Sequence, residues 1–345
     1  MSNEENSNQS SGKPGKFGLI EHLTRNAVIY NKSTITGPGD DSAVIDSGND
    51  LSLVSTDLLL EGIHFNLVYT PLKHLGYKAV IRAISDIYAM NGTPEQILTA
   101  VGISSRFSVK HLDELYEGIS LACKRYRIDL AGGDTSSSLT GMSISVTAIG
   151  RAGTDSIVRR NGARPNDLIC ATGNFGAAYM GLQVLERERK IFDNDNKIQP
   201  DMSGYEYIIE RQLKPEFPAK VLTGLSSANI LPSSMIDVSD GLASDLIHLC
   251  RQSGTGCRIY YDRIPVDNET WKTAEEFNID PMIPALNGGE DYELLFTLPL
   301  RYAEAIKSVP DVAMIGHMTV PEQRCFLITN QYSEVELKAQ GWENG

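Results

Sequence analysis

Apolar residues recur along the chain in two rhythms, and the change from one to the other marks out its elements. Leu51 to Thr56, Gln96 to Gly102 and Gly141 to Gly150 show the short or alternating apolar runs of strands. Leu75 to Met90 and Val109 to Tyr126 instead space apolar residues by three and four, which predicts helices. In the first of these helices the apolar face runs through Ala79, Val80, Ala83, Ile84 and Ile87, leaving Asp86 at its margin. A carboxylate at such a boundary needs a partner. The stretch from Arg151 to Asn166, with Gly153, Gly162 and Pro165, breaks the rhythm and is the expected junction between two units.

Beyond the junction the pattern resumes. Asp167 to Thr172 reads as a strand, Gly173 to Gly176 as a turn and Ala177 to Arg189 as a helix. Ser234 to Ser239 and Glu293 to Thr297 read as strands, and Leu242 to Gln252 as a helix with Leu242, Leu246, Leu249 and Cys250 on one side. The class is mixed α/β without a simple repeat. Within the polar stretch Lys190 to Gly204, Asp193 and Asp195 open like a calcium loop. Lys197 at its fifth position, and Ile198 where the turn needs glycine, reject that reading. Met1 to Lys16 hold almost nothing to bury and are expected to be a disordered tail.

Charge narrows the partners. The 345 residues include 31 Lys and Arg against 44 Asp and Glu, a net charge of −13 that repels a nucleic-acid backbone. No apolar run approaches the roughly 20 residues of a membrane span, and the first residues lack the apolar core of a signal peptide, so a cytoplasmic protein is expected. The five cysteines form no C-x-x-C pair and read as buried reduced thiols. Histidines are scattered, only His248 lying near a thiol, Cys250, so no tetrahedral zinc site is expected and a metal would rely on oxygen ligands.

Neither G-x-x-x-x-G-K-[ST] nor G-x-G-x-x-G is present. The chain has acidic turns instead: Asp40 and Asp41 in Gly37-Pro-Gly-Asp-Asp-Ser, Asp57 in Val54-Ser-Thr-Asp, Asp86 in Ala83-Ile-Ser-Asp, Asp134 in Ala131-Gly-Gly-Asp-Thr, and Asp237 with Asp240 in Ile236-Asp-Val-Ser-Asp-Gly. Singly, an Asp beside Gly satisfies turn amides, and Ser239 or Asp240 is placed to cap the helix that begins near Leu242. Gathered together, these carboxylates would repel one another, and the available remedy is a hard divalent cation, above all magnesium. Magnesium also lets an acidic protein hold a polyphosphate through metal bridges.

In order along the chain, Gly37-Pro-Gly-Asp-Asp-Ser-Ala, Ser55-Thr-Asp, Glu61-Gly-Ile-His-Phe, Ala131-Gly-Gly-Asp-Thr, Asp237-Val-Ser-Asp-Gly-Leu and Gly288-Gly-Glu-Asp-Tyr-Glu-Leu resemble the motifs of the thiamine-monophosphate kinase family. The resemblance runs from about Phe17 to Trp342. Its larger superfamily includes aminoimidazole ribonucleotide synthetase, selenophosphate synthetase and a hydrogenase-maturation protein. The G-x-H-F and G-G-E-D-Y-E-L elements favour the kinase over the first. The first cysteine standing at Cys123, and the ending Trp342-Glu-Asn-Gly, set the chain apart from the other two. A silent Mg-nucleotide sensor, a reading from another class, would be expected to have lost a metal carboxylate, and none is missing.

The resemblance implies transfer of the γ-phosphoryl of ATP to thiamine monophosphate, giving thiamine diphosphate and ADP. The acceptor phosphate is already ionised, so alignment and charge neutralisation replace a general base, and free thiamine is expected to be a poor acceptor. It further implies several magnesium ions near Asp41, Ser55, Thr56, Asp57, Asp86, Asp134, Asp237 and Asp240; ATP contacts from Tyr126, Gly133, Asp134, Arg160 and Ser239; and substrate contacts from His64, Glu290 and Trp342. Asp57, Asp134, Arg160 and Asp240 would carry the catalysis. Arg160 is preferred over its neighbour Arg159 on the resemblance alone. A thiazolium cation suits an aromatic face and a carboxylate. A monovalent cation stays open. The implied fold is the two-domain aminoimidazole ribonucleotide synthetase-like α/β (α+β) fold. Residues 17–152 would bind metal and ATP and pair their sheet with a second subunit's in a barrel, residues 153–345 would complete the site, and the active site would lie in the cleft between.

Overall fold

The computed structural model describes residues 16–26, 28–194 and 201–339. Trp342 and the first fifteen residues of the expected tail lie outside them. The first part of the chain comprises α1 (Lys16–Thr24), β1 (Thr34–Thr36), β2 (Ala43–Asp46), β3 (Leu51–Leu60), α2 (Leu72–Ala89), β4 (Thr93–Ile103), α3 (Val109–Tyr126), β5 (Asp129–Ser137) and β6 (Ser143–Ala152). Its strands form a six-stranded sheet in the order β1-β2-β3-β6-β4-β5. Pairing is antiparallel except between β4 and β5, which α3 joins as a crossover.

The remainder contains β7 (Leu168–Thr172), α4 (Ala177–Asn194), α5 (Glu206–Leu213), α6 (Ala219–Ser227), β8 (Ser234–Val238), α7 (Leu242–Ser253), β9 (Gly256–Tyr260), α8 (Asn268–Glu276), α9 (Met282–Asn287), β10 (Glu293–Leu298), β11 (Val312–Thr319), β12 (Cys325–Ile328) and β13 (Glu334–Glu336). Here a seven-stranded sheet runs β13-β12-β9-β11-β7-β10-β8. Of the expected junction, Arg151 and Ala152 still belong to β6, and the connection between the sheets begins at Gly153. Both sheets are open, so among the described residues no barrel closes within one chain.

Helix α2 lies between the two sheets, which explains its composition. It packs on β3 and β6 from the first sheet and on β8 from the second. Val80, Ile81, Ile84 and Ile87 are all fully buried, and one continuous core joins Ile144 and Val146 of β6 to Met235, Leu294 and Phe296 of the second sheet. Asn91 at φ 56° and Gly92 then turn the chain out of the helix. Helix α3 spans the residues its periodicity predicts. Its first turn is closed by His111 Nδ1, which accepts from Ser108 N at 3.0 Å, and Arg127 ends it at φ 57°.

One correction to the sequence reading concerns β5. Ala131-Gly-Gly-Asp-Thr looks like an acidic turn but is extended backbone paired with β4, and every one of its residues is exposed. A strand of glycine, serine and threonine has no apolar alternation to announce it, because its partner is backbone rather than core.

The helix pair α2–α3 touches backbone to backbone. A Cβ on Gly118 would sit 1.8 Å from the Lys73 carbonyl oxygen, and one on Gly76 would sit 2.0 Å from that of Leu115. Gly118→Ala must therefore force the helices apart. The expected cost is about 1–3 kcal/mol, read as a lower denaturant midpoint at unchanged m-value; a midpoint equal to that of the unaltered chain would show that the helices do not meet there.

Candidate active site

A cleft of about 590 Å³ opens where the middle of β3 and the end of β8 meet α2, and it collects side chains from both sheets. Its floor is acidic. Carboxylate oxygens of Asp41, Asp86 and Asp237 lie within 4.8 Å of one another. Each arrives by a different route. Asp41 stands in the turn before β2, Asp86 on the α2 face toward β3, and Asp237 near the end of β8. Neighbouring hydroxyls hold them in place: Ser55 donates to Asp86, and Ser85 donates to Asp237 at 2.7 Å.

Such a cluster is electrostatically loaded. Burial, outweighing the nearby Arg160, pushes the proton of Asp41 up to about 7, and the charges of Asp237 and Asp40 add to the effect. Burial likewise raises Asp86, helped by Asp57, Asp237 and Asp41, and raises Asp40. Arg160 is the cation built into the floor. Its guanidinium grips Asp41 through two of its three nitrogens, Nε at 2.8 Å and Nη2 closer. Nη1 lies 3.2 Å from His248 Nε2, whose ring stacks on Phe17 of α1 at 3.7 Å. Local sequence could not separate Arg159 from Arg160. In the fold only Arg160 lines the cleft, while Arg159 donates to Thr36 at 2.5 Å.

The period of β3 distributes the Ser55-Thr-Asp run. Ser55 and Asp57 face α2, whereas the Thr56 hydroxyl is turned to the opposite face, 3.0 Å from that of Thr147. Thr56 therefore offers the cleft its backbone rather than its hydroxyl. Asp57 accepts from Arg82 Nε at 2.8 Å, and Arg82 Nη1 is 3.8 Å from Glu290. Glu290 also accepts from the buried Lys78 at 2.8 Å. Burial favours protonation of Glu290, but Lys78 and Arg82 more than offset it and hold the carboxyl below its usual range. His64, whose Nδ1 accepts from Leu60 N at 3.0 Å, is held below its ordinary pKa by burial and then by Arg82. A second, cationic centre thus adjoins the acidic floor. The segment carrying it is conformationally demanding, with Gly289, Glu290 and Tyr292 at φ 68°, 59° and 51°.

Ser239 and Asp240 both line the cleft, but neither caps α7. Gly241 holds the cap position at φ 109°, and Asp245 reaches back to accept from Ser239 N and Asp240 N, each at 3.1 Å. Tyr126, Gly133 and Asp134 are not brought to the cleft within one chain. Tyr126 donates to Glu216 at 2.9 Å and accepts from Phe217 N at 2.9 Å, and Gly133 and Asp134 stand on the exposed β5 edge. Trp342 lies outside the described residues. Lys78, Arg82 and Asp245 went unnoticed in the sequence. A signal for the first two existed, since positions 78, 82 and 86 follow one face of α2 at four-residue steps.

Comparison with known proteins agrees over nearly the whole length. The family model for AIR synthase related protein, N-terminal domain, matches residues 39–152. The thiamine-monophosphate kinase of Buchnera aphidicola subsp. Schizaphis graminum is 34% identical over 336 residues, covering 95% of this chain and 98% of the relative. That of Bacillus subtilis is 31% identical, with 95% and 99% covered. The solved complex of AaThiL with AMPPCP and TMP superposes with a TM-score of 0.81 at 29% identity, over 96% of this chain and 97% of that one. With relatives above 30% identity matched from end to end, the chain belongs to the thiamine-monophosphate kinase family.

Proposed function

We propose that the cleft transfers the γ-phosphoryl group of ATP directly, in line, to the phosphate of thiamine monophosphate, giving thiamine diphosphate and ADP. The observation that carries this reading is the convergence of Asp41, Asp86 and Asp237 beside Arg160. The donor set fits magnesium: it is all oxygen, and three close carboxylates cannot all ionise without added positive charge. Asp41, Asp86, Asp237 and the Ser55 hydroxyl would hold it, with Asp57, Asp240 and the Thr56 backbone at the rim. Magnesium, when bound, would neutralise the floor and the nucleotide phosphates, letting two polyanions meet.

The chain's own groups then divide the work. Arg160, fixed by Asp41, presents a preoriented cation to charge developing on the transferred group. Ser239 and Asp240, held by Asp245, border the nucleotide side. Arg82, His64 and Glu290 border the acceptor side, where a carboxylate suits a permanent cation and Arg82 suits a phosphate. Asp57 joins the two halves through Arg82, and its release from Arg82 would accompany any role as metal ligand.

The reading extends to assembly. Leu58, Leu60, Leu98 and Leu130 of the first sheet are exposed, as is the whole β5 edge, and a second copy would cover them. We therefore infer a homodimer whose first sheets pair in a barrel, with Tyr126, Gly133 and Asp134 serving nucleotide and metal in that assembled form, and Trp342 serving the acceptor. Residues 17–152 would form the metal, nucleotide and pairing domain, and residues 153–345 the domain that completes the site. A cytoplasmic enzyme remains part of the proposal; no helix among the described residues is long and apolar enough to cross a membrane.

Two measurements test this. A magnesium-dependent assay with ATP and either thiamine monophosphate, thiamine or no acceptor should yield thiamine diphosphate with the monophosphate only; rapid phosphorylation of thiamine would show that the site supplies the base it lacks here. The second follows from Asp41. An acid with a raised folded-state pKa favours the fold while protonated and costs stability as pH rises from its unfolded value near 4 through about 7. Magnesium removes that cost only where the carboxylate has ionised. The rise in Tm on adding magnesium should therefore be small at pH 5.5, large at pH 8, and less dependent on pH in Asp41→Asn. Equal rises at both pH values in the unaltered chain would place the ion elsewhere.

A further inference from the structure

The fold assembles a second group of metal-binding side chains, well separated in sequence and made of sulfur. Cys250 in the last turn of α7, Cys257 on β9 and Cys325 at the start of β12 bring their Sγ atoms within 4.8 Å of one another. Local geometry makes the meeting obligatory. Gly254, at φ 63°, closes α7 and turns the chain into β9, while parallel pairing sets Cys325 directly beside Cys257. All five cysteines are unbonded thiols. Cys123 and Cys170 belong to the other core cluster, so the convergence is particular to these three.

Buried cysteines often serve only as small apolar groups. Four features argue for more. All three sulfurs converge on one point, whereas a disulfide would engage two and strand the third. A tetrahedral thiolate site with metal–sulfur bonds of about 2.3 Å spaces its sulfurs about 3.8 Å apart, inside the observed limit. Cys250 and Cys257 are buried but Cys325 is only partly so, which leaves an entry path and a side open to water. A cation also stands beside the cluster: Arg258 donates to the carbonyl oxygens of Cys257 at 3.0 Å and Gln323 at 2.8 Å. Three thiolates with a divalent ion carry one net negative charge, and the guanidinium that faces it is shared with Glu334, to which Arg258 Nε donates at 3.0 Å.

We propose that Cys250, Cys257 and Cys325 form a structural site for one thiophilic d10 cation of the zinc class, with water completing the shell. Binding exchanges up to three thiol protons for the ion and involves no redox step. The sequence spacing matches no zinc motif, because strand pairing joins Cys325 to Cys257 and the end of α7 brings Cys250 to them. A bound ion would tie β12 to β9 and to α7, the helix that carries Asp245, His248 and Arg251 to the cleft.

The test uses the full-length, reduced, chelator-stripped protein with Cd²⁺ as probe, read by its ultraviolet thiolate-to-metal charge-transfer absorption. Carboxylates give no such band, so the cleft cannot imitate it. The band should saturate near one equivalent, persist in Cys123→Ser, and require about tenfold more Cd²⁺ in Cys325→Ser. In the unaltered chain, Zn²⁺ should displace the band and slow alkylation of Cys325 about tenfold, read by peptide mass spectrometry, which keeps the test independent of how the variants fold. Absence of the band, a Cd²⁺ titration unchanged in Cys325→Ser, or alkylation of Cys325 unaffected by Zn²⁺ would each overturn the proposal.

Discussion

Three carboxylates held within 4.8 Å of one another, two of them buried, repel, and much of the surrounding structure serves to make that tolerable. Serine hydroxyls donate to two of them, a guanidinium clamps the third, and raised proton affinity relieves the rest. A cluster satisfied only by losing its own charge is poised for an external cation. On the proposed reading, an acidic chain with no phosphate-binding glycine motif would grip polyphosphates through that cation.

Helix α2 is the device that brings the parts together. It is buried between two sheets, and three of its polar residues meet groups from either side of it: Arg82 meets Asp57 of the first sheet, Ser85 meets Asp237 of the second, and Lys78 meets Glu290 on the approach to β10. Lys78, with its side chain 4% exposed, would be costly unpaired; it donates to Glu290 and to the Gln212 carbonyl oxygen. The same helix therefore supplies an acidic end and a basic middle, which the proposed reading assigns to the nucleotide and the acceptor in turn. This polarity suits a reaction between two phosphorylated partners. The backbone-to-backbone seam with α3 fixes its height against the sheet.

Much of this was legible beforehand where the signal was local. The periodicity of Val109 to Tyr126 returned the helix as it stands, and the position of Asp86 at the edge of an apolar face pointed to a partner, found in Ser55. The acidic turns marked most of the cleft. What escaped was set by distant pairing. β5 has no apolar alternation because backbone of β4 defines it, and Thr56 turns away because strand period decides its face. Asp245 reaches back to the amides of Ser239 and Asp240, where a cap from one of those two is expected, and the three cysteines meet only where α7 packs on the second sheet. The motifs thus carried the chemistry, while the fold decided which side chain of each motif faces it.

Asp86→Asn separates this account from a merely structural reading. It removes one repelling charge but keeps the shape and the hydrogen bond to Ser55, so metal-free protein should melt at a higher temperature than the unaltered chain. Magnesium should at the same time be required at about tenfold higher concentration, and turnover of thiamine monophosphate should fall at least about a hundredfold. A variant that melts lower, with magnesium dependence and turnover unchanged, would contradict the claim that these carboxylates are gathered to hold a cation for phosphoryl transfer.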